Sequence, residues 1–272
     1  MTPTALLVTK HQKHEVIAPA FAQIGWEVQT AVADTDALGT FAGDVPRRFT
    51  PLETARRKAL LGSTLGPAQW LLASEGSIST SPIGVARDIE LVVAVDPTLR
   101  TTIVGSASLL GIHSVRFEVD RTTTDDEIVE HCREADLPRH HLLVVPSDRS
   151  IAPLGGLASV ESVLEICHRL KRRKSSLVIQ TDFRAHLCPS RQAVIASAAE
   201  DLVARLARIC PNCDRPGFGE ETPILGLPCR SCGQPTKEPK AHRDSCPWCE
   251  FEVLQWFDQE NADSIHCEEC NP

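Results

Sequence analysis

CPNC at residues 210–213 opens a series of four Cys-x-x-Cys pairs and is followed by CRSC at 229–232, CPWC at 246–249 and CEEC at 267–270. The pairs are separated by 15, 13 and 17 residues. This spacing is typical of zinc ribbons, in which each short turn directs two thiolates at one tetrahedral ion. We therefore predict two structural zinc ions, bound by Cys210, Cys213, Cys229, Cys232, Cys246, Cys249, Cys267 and Cys270.

Two alternatives concern these cysteines. A disulfide framework is disfavoured because the N-terminal sequence MTPTALLVTKHQKHE lacks a secretory signal, so we expect a cytoplasmic, reducing location. For the zinc ions we predict linear pairing, first Cys-x-x-Cys with second and third with fourth, because it closes the shorter loops; cross-brace pairing is the alternative. Four thiolates leave no coordination position for water, so we expect the ions to stabilise the fold rather than to catalyse.

The charge of the sequence changes where the cysteines begin. Residues 209–272 contain 12 Asp/Glu and 5 Lys/Arg, whereas residues 1–208 contain 24 and 23. We predict an α/β ligand-binding or catalytic domain over 1–208 and a Cys-rich double zinc-binding domain over 209–272. The formal net charge of −8 disfavours nucleic acid as a partner. No membrane partner is expected, because no apolar run approaches the roughly 18 residues of a membrane span.

The first 208 residues alternate short apolar runs with helical periodicity. Strands are predicted at 5–10, 26–33, 70–74, 89–95, 101–104, 115–119, 142–146 and 177–181. Helices are predicted at 14–24, 51–61, 125–135, 159–173 and 191–209. The alternation predicts an α/β fold with a layered mixed sheet and flanking helices, followed by a small zinc-ribbon-like domain.

The first group of residues that could carry chemistry is TKHQK at 9–13, at the end of a predicted strand and just before a helix. Open α/β sheets bind ligands at the carboxyl ends of strands, and a helix N-terminus favours anions. Lys10, His11 and Lys13 are therefore candidate phosphate ligands. The alternative is a polar loop with solvated lysines.

The second group is a series of acidic residues: Asp34, Asp36, Asp44, Glu53, Glu75, Asp88 and Glu90. Glu75 stands in ASEGS (73–77), just past a predicted strand, where small neighbours let a ligand approach the backbone. Carboxylates opposite lysines suit a magnesium-bound triphosphate. For any one of these residues, a role in a turn or helix cap is the alternative.

The third group is TDFRAH at 181–186, followed by PSR at 189–191. If the strand continues, Asp182, Arg184 and His186 share one face and could combine acid/base chemistry with phosphate binding. The alternative is an Asp–Arg ion pair before a helix that Ser190 caps. Cys188 lacks an activating base at a recognisable spacing, so no nucleophilic role is assigned to it.

Motifs across nearly the whole chain resemble an uncharacterised bacterial family that is known only as a domain of unknown function. They are TKH-x-K, DTD-x-LGTF-x-G, ETA-xx-KA, ASEGS, TD-x-RAH-xx-P-x-R, GLPC-xx-CG-x-PT and the final C-xx-CNP. The resemblance implies no activity. The chain departs from the family at residues 78–81, where an aromatic residue, Gly, Pro and His are usual, and at Cys188, where Asn is usual.

The first hundred residues contain, in order, a predicted strand, Thr-x-His-x-Lys (9–13), a helix, ETA-xx-KA, ASEGS and a strand pair with Asp88 and Glu90. This order is similar to that of the inosine/xanthosine triphosphatases, which hydrolyse non-standard nucleotides. This resemblance implies that Lys13 and Lys58 contact phosphate, that Glu53 binds magnesium and that Glu75 supports attack by water. Two departures are visible: Lys13 stands one residue early, and a single Glu75 stands where one branch of the superfamily has two Asp residues.

These patterns predict a magnesium-dependent nucleotide (phosphoanhydride) hydrolase, or a nucleotide-binding protein, with a structural zinc tail. The alternative is a non-enzymatic module that senses a ligand or binds a protein partner through its acidic zinc tail. The predicted catalytic residues are Glu75, Asp182 and His186. The predicted phosphate ligands are Lys10, His11, Lys13, Lys58, Arg184 and Arg191, and the predicted magnesium ligands are Glu53 and Glu75. Convergence of Lys13, Glu53, Glu75 and Asp182 on one cleft would favour catalysis.

Overall fold

The computed structural model describes residues 3–10, 13–39, 48–80, 85–98, 101–174 and 176–272. These residues confirm the predicted α/β class with flanking helices, but strands β1–β9 form two sheets, of which the first is mixed and the second antiparallel. The strands are β1 (Thr4–Val8), β2 (Glu27–Ala31), β3 (Trp70–Thr80), β4 (Ala86–Val95), β5 (Thr102–Leu110), β6 (Arg116–Asp120), β7 (Leu142–Pro146), β8 (Leu154–Leu157), β9 (Ser176–Thr181), β10 (Glu220–Leu225), β11 (Pro239–Ser245) and β12 (Glu252–Trp256). The α-helices are α1 (His14–Ala22), α2 (Pro51–Leu61), α3 (Asp125–Glu134), α4 (Val160–Lys171) and α5 (Pro189–Leu206).

The chain divides into two compact units. The α/β unit comprises residues up to 100 together with 104–202, and the tail unit comprises Thr101–Ile103 with Val203–Pro272. The predicted separation into domains after residue 208 stays a prediction. Among the described residues, no helix is both long and apolar enough to cross a membrane.

The first sheet of the α/β unit has the order β2-β1-β3-β4-β5. β1 runs parallel to β2 and β3, with Leu7 paired to Thr30 and Leu72, whereas β3 and β4 form an antiparallel hairpin. α2 covers one face, where its Ala55 and Ala59 pack against apolar residues of β3 and β4. Because β3 continues beyond the end of β1, its later residues lie at the carboxyl edge of the parallel strands.

The second sheet of the α/β unit has the order β6-β9-β7-β8, with antiparallel neighbours throughout. Its core includes Ile128 of α3, Val163 of α4 and Ile179 of β9, all fully buried. Thr124 and Ser159 begin α3 and α4 with reciprocal capping boxes, which satisfy N–H groups that the first helical turns leave free.

The observed boundaries agree with the sequence where local signals are strong. Helix 51–61 is confirmed because Thr50 caps its N-terminus and Pro51 suits the first helical position. The predicted strands 70–74 and 89–95 are too short, because β3 and β4 pair over ten residues, from Leu71 to Thr80 on β3. Glu75 therefore lies inside a strand rather than past its end. β8 was not predicted, because Gly155 and Gly156 interrupt its apolar pattern.

The tail unit contains a three-stranded antiparallel sheet with the order β10-β11-β12. Glu220 at the start of β10 pairs with Ser245 at the end of β11, and Leu225 at the end of β10 pairs with Pro239 at the start of β11. Consecutive connections therefore lie at alternate ends of the sheet, which decides how the cysteines meet.

Candidate functional site

The cysteines of the tail unit form two groups of four. The first group is Cys210, Cys213, Cys246 and Cys249, and the second is Cys229, Cys232, Cys267 and Cys270. In each group the sulfur atoms lie within 4.8 Å of one another, with individual separations of 3.5 to 3.9 Å. A zinc ion with four bonds of about 2.3 Å would place its sulfurs about 3.8 Å apart, so both groups could hold zinc.

The linear pairing predicted from the sequence is wrong. The first Cys-x-x-Cys meets the third and the second meets the fourth, which is the cross-brace arrangement. The antiparallel sheet is the cause. The first Cys-x-x-Cys precedes β10 and the third follows β11, and these two strand termini lie at the same end of the sheet. The second Cys-x-x-Cys, between β10 and β11, and the fourth, after β12, lie at the other end. The longer loops cost little, since each doubling of loop length adds only about 0.6 kcal/mol of closure entropy.

None of the eleven cysteines, all of which lie in described ranges, forms a disulfide. In the turn of the first pair the Asn212 backbone N–H donates to Cys210 Sγ at 3.4 Å, and the Asn212 side chain donates to Cys249 Sγ at 3.4 Å. The Ser231 N–H donates to Cys229 Sγ in the same way. Such hydrogen bonds favour the thiolate, which is the form that binds metal.

The thiol pKa values within the groups differ accordingly. The Asn212 side chain lowers the pKa of Cys249 to about 6, and the backbone N–H groups of Cys232 and Ser231 lower the pKa of Cys229 to about 7. Burial raises the pKa of Cys213 to about 12. Four crowded thiols therefore do not all ionise without a cation between them, and a zinc ion would supply that cation.

A second polar cluster lies in the α/β unit, at the carboxyl edge of β1 and β3. Lys13, the residue before α1, donates to the Ser74 hydroxyl at 2.7 Å. Ser74 is two residues beyond Leu72, the last residue of β3 that pairs with β1. This edge is where open α/β sheets bind ligands, because strand ends and helix N-termini meet there.

Glu90 and Arg191 form the most buried ion pair of this cluster. Arg191 near the start of α5 donates from Nε to Glu90 Oε1 at 2.5 Å, and their side chains are 2% and 0% exposed. Arg191 Nη1 also donates to the Phe183 carbonyl at 2.5 Å. Glu90 pairs with Gly76 across the β3–β4 hairpin, and its carboxylate fills the space where a side chain of residue 76 would lie. A larger residue at position 76 would require the Glu90 carboxylate to shift.

Asp88 lies beside this pair and forms no ion pair with a described residue. It is fully buried, two residues before Glu90 and so on the same face of β4. Neither of its carboxyl oxygens accepts a hydrogen bond from a donor among the described residues. Burial first, and then the charge of Glu90, raise the pKa of Asp88 to about 7. A buried carboxyl group without a hydrogen-bond donor lowers the stability of the fold. Buried groups with a shifted pKa are typical of functional sites.

Lys58 and Glu75 form a second ion pair on the opposite face of the hairpin. Glu75 pairs with Leu91, so it points away from Glu90, toward α2. Lys58 of α2 donates to Glu75 Oε2 at 2.5 Å, and the Glu75 side chain is 4% exposed. The two faces still interact, because the charges of both residues act on Lys13.

The pKa of Lys13 is low for a lysine. Burial lowers its pKa from 10.5 to about 8, and the positive charges of Arg191 and Lys58 act in the same direction. Glu90 and Glu75 oppose the shift. We use the name charge cluster for the polar residues described at this edge of the sheet: Lys13, Lys58, Ser74, Glu75, Asp88, Glu90 and Arg191.

Several predicted ligands lie outside the charge cluster. Lys10 pairs with Asp34 at 3.2 Å on the surface. Glu53 pairs with Arg57 at 2.7 Å and Arg56 at 3.7 Å within its own helix. His11 and Asp44 lie outside the described residues. Of the four residues whose convergence would favour catalysis, Lys13 and Glu75 are close enough for their charges to interact. Glu53 contacts its helical neighbours instead, and Asp182 is bound by Arg184.

Asp182, Arg184 and His186 do not share a strand face, because β9 ends at Thr181 and a 3₁₀ turn covers Ala185–Leu187. Arg184 binds the Asp182 carboxylate with two nitrogens, at 3.0 and 2.5 Å, which is the ion-pair alternative. Asp182 also accepts from the Gly156 N–H at 2.9 Å.

The residues that follow also depart from their predicted roles. α5 begins at Pro189, so Ser190 lies inside the helix instead of capping it. Its hydroxyl lies 3.1 Å from His140 Nε2. Burial raises the pKa of Cys188, which agrees with assigning it no nucleophilic role.

Sequence reasoning found Lys13, Lys58, Glu75 and Arg191 but did not place Asp88 and Glu90 beside Arg191. The signal was present, because Asp88 and Glu90 alternate with apolar residues on a strand whose other residues are mostly buried. A carboxylate on the buried face of a strand needs a partner or a ligand. Only the fold shows that the partner comes from a helix 101 residues later.

Comparison with known proteins yields one finding. A family model described as "Domain of unknown function (DUF6671)" matches residues 58–272, which include both cysteine groups and every residue of the charge cluster except Lys13. No curated protein and no solved structure matches the sequence.

Proposed function

We propose that this chain, which belongs to the DUF6671 family of domains of unknown function, binds a phosphorylated small molecule at the charge cluster and carries two structural zinc ions in its tail unit. The nucleotide class follows from the resemblance of the first hundred residues to the inosine/xanthosine triphosphatases. The proposed reaction is hydrolysis of a phosphoanhydride bond.

The observation that carries the proposal is the convergence of three cations at the carboxyl edge of the parallel strands. They are Lys13, which immediately precedes α1, Lys58 of α2 and Arg191 of α5. Packing three cations together below the surface is costly unless anions are present. The chain supplies carboxylates, and a phosphate group would compete for the same donors, because lysine and arginine bind phosphate with charge-assisted hydrogen bonds.

Water attack on phosphorus is the step proposed for the cluster. The water oxygen forms a bond to phosphorus, the bond to the leaving phosphate oxygen breaks, and that oxygen keeps the electron pair. Glu75 would accept the proton of the water, as the resemblance implies, while Lys13 and Arg191 offset the developing negative charge. Such positioned charges supply most of the catalysis in phosphoryl transfer.

Magnesium remains part of the proposal, and when bound it would neutralise phosphate oxygens. The contacts of Glu53 do not support its predicted role as a magnesium ligand, since its carboxylate pairs with arginines of its own helix. Glu75 is engaged by Lys58, so a cation would compete with the lysine there.

The proposed zinc ions have a structural role. Four thiolates close each coordination sphere, and each ion would contribute about 10 kcal/mol or more of apparent folding free energy. Metal analysis of the purified chain tests this directly. We expect two zinc ions per chain, and fewer than one would overturn the assignment.

A screen of nucleoside triphosphates with magnesium tests the hydrolase function. We expect phosphate or pyrophosphate release by the wild type and a loss of turnover of at least about 100-fold in Glu75→Gln. Glu53→Gln is the matched control, because Glu53 lies on the exposed side of α2 and should retain turnover. Absence of turnover with every nucleotide, or equal turnover in Glu75→Gln, would reject catalysis and leave ligand binding as the function to test.

A protein-interaction role for the tail is the second candidate. The edge strand β12 exposes Leu254 and Trp256, which are 48% and 63% exposed. An edge strand with apolar side chains can pair with a strand of another polypeptide. If β12 pairs with a second copy of this chain, Trp256→Ser will shift sedimentation toward the monomer. A wild-type chain that is monomeric at all concentrations would exclude that pairing.

A further inference from the structure

We infer that the carboxyl groups of Asp88 and Glu90 bind a divalent cation of the magnesium or manganese class, and that this cation and a phosphate group enter the charge cluster together. The inference deepens the anion-binding function proposed above and rests on it. It differs from the expectation drawn from the sequence, which assigned Glu53 and Glu75 to the cation.

The two carboxyl groups are adjacent and buried. Asp88 and Glu90 are both 0% exposed and stand on the same face of β4, opposite Ile78 and Gly76 of β3. Three of their four oxygens accept no hydrogen bond from the described residues: Asp88 Oδ1, Asp88 Oδ2 and Glu90 Oε2. Buried carboxylate oxygens in native proteins nearly always have a partner. The Asp88 and Glu90 carboxyl groups lie within hydrogen-bonding range of each other, so a cation between them could bind oxygens of both and offset their repulsion.

Chemistry of the donors selects the type of ligand. Carboxylate oxygens are hard donors, which favour magnesium, manganese or calcium over zinc. Magnesium is typically bound by one or two protein carboxylates together with phosphate oxygens and water. Asp88 and Glu90 supply two carboxylates, and the nearby Lys13 and Arg191 supply phosphate-binding groups whose charges already act on Asp88.

A charge balance explains why the cation and the anion should bind together. The charge cluster holds three basic and three acidic side chains, so its formal net charge is zero when all are ionised. They are Lys13, Lys58, Arg191, Glu75, Asp88 and Glu90. A phosphate dianion alone adds two uncompensated negative charges to a site of low dielectric constant, and a divalent cation alone adds two positive charges. Binding both restores neutrality, so each should raise the affinity of the other by the same factor.

Manganese binding followed by electron paramagnetic resonance tests the inference on the full, zinc-loaded chain. We expect one manganese site, distinct from the cysteine groups, whose affinity rises at least about fivefold when inorganic phosphate is added. Asp88→Asn keeps the shape of the side chain and should abolish this site. Asp148→Asn removes a surface carboxylate outside the charge cluster, where it contacts Lys174 and the Ser150 N–H, and is the matched control.

The outcomes separate the inference from the proposed function. If phosphate binds but manganese neither binds nor changes the phosphate affinity, the cation site is wrong and the anion site stands. If manganese binds equally to wild type and Asp88→Asn, the ligands are misassigned. If neither phosphate nor manganese binds to a chain that circular dichroism shows to be folded, both proposals fail. Lys13→Met should still bind manganese, but phosphate should no longer raise its manganese affinity. This result would show that the two ions bind to different groups.

Discussion

Arg191 donates a hydrogen bond to Glu90 at 2.5 Å although the two residues are 101 positions apart in the sequence. Both side chains are almost fully buried. The contact joins the start of α5 to the middle of β4 and holds the guanidinium at the carboxyl edge of the parallel strands. It links the stability of the α/β unit to the geometry of its candidate site.

Breaking this pair should destabilise the protein more than breaking a surface pair. Arg191→Met leaves Glu90 buried without a cation, which typically costs about 3–5 kcal/mol. Arg57→Met, which removes a half-exposed partner of Glu53, should cost less than about 1 kcal/mol. Urea unfolding of the two variants measures the difference. Equal destabilisation would contradict the burial of the Glu90–Arg191 pair.

Gly76→Ala should disturb the same pair by crowding. A Cβ at residue 76 would overlap Glu90 Oε1, so the carboxylate must move from its position beside Arg191. We expect a loss of about 1–3 kcal/mol, as for overpacked cores, together with weaker phosphate binding.

Gly66→Ala provides the control for this substitution, because the nearest atom to its Cβ would be 3.8 Å away, an ordinary contact. Its unfolding free energy should change by less than about 1 kcal/mol. A Gly76→Ala protein as stable as Gly66→Ala would show that Glu90 does not occupy the space above residue 76.

Double substitutions distinguish the two patterns of cysteine pairing. Cys213→Ser with Cys246→Ser removes two ligands from one cross-braced group, so one zinc ion per chain should remain. Cys213→Ser with Cys229→Ser removes one ligand from each group, and both ions should be weakened or lost. Linear pairing predicts the opposite result, with both ions weakened or lost in the first protein and one ion retained in the second. Zinc content measured by mass spectrometry on the two proteins decides between the patterns.

Anion affinity should fall as the pH rises through about 8. Lys13 attracts an anion only when protonated, and burial lowers its pKa to about 8. The groups that act on it are Glu90, Arg191, Lys58 and Glu75. Sulfate is a suitable probe, because it stays a dianion over this range.

The lowered pKa of Lys13 also makes the free energy of unfolding depend on pH. Between pH 8 and 10.5 the unfolded chain binds a proton at Lys13 that the folded chain has lost, so this residue makes stability rise with pH in that window. In Lys13→Met both pH effects should disappear. A sulfate affinity that stays constant to pH 10 in the wild type would contradict the lowered pKa.

Local signals in the sequence were sufficient for much of the fold. Thr50 and Pro51 fix the start of α2, and the spacing of cysteines identifies the eight residues of the two groups that could hold a metal ion. Pairing between distant segments was not predictable in the same way. The cross-brace depends on the alternate ends of the β10–β12 sheet, and the site depends on α5 returning to β4. Neither relation leaves a periodic pattern, because each joins segments that are far apart in the chain.

The hairpin of β3 and β4 shows why the candidate site was only half predicted. ASEGS (73–77) contains small and polar residues that suggest a loop, yet it continues the strand because Ala86–Val95 supplies a partner along its whole length. Strand pairing overrides the weak local preference of Ser and Gly for loops. Alternation along this extended strand then sends Ser74 and Glu75 to opposite faces, which the sequence alone did not reveal.

The most direct test of the central claim is calorimetric titration of inorganic phosphate into the zinc-loaded chain in the presence of magnesium. We predict one binding site per chain, an affinity loss of about 10- to 100-fold in Lys13→Met, and an unchanged affinity in Lys174→Met, whose lysine pairs with Asp148 near the surface. Absence of binding to the wild type, or equal affinity in the two variants, would contradict a phosphate site at the charge cluster.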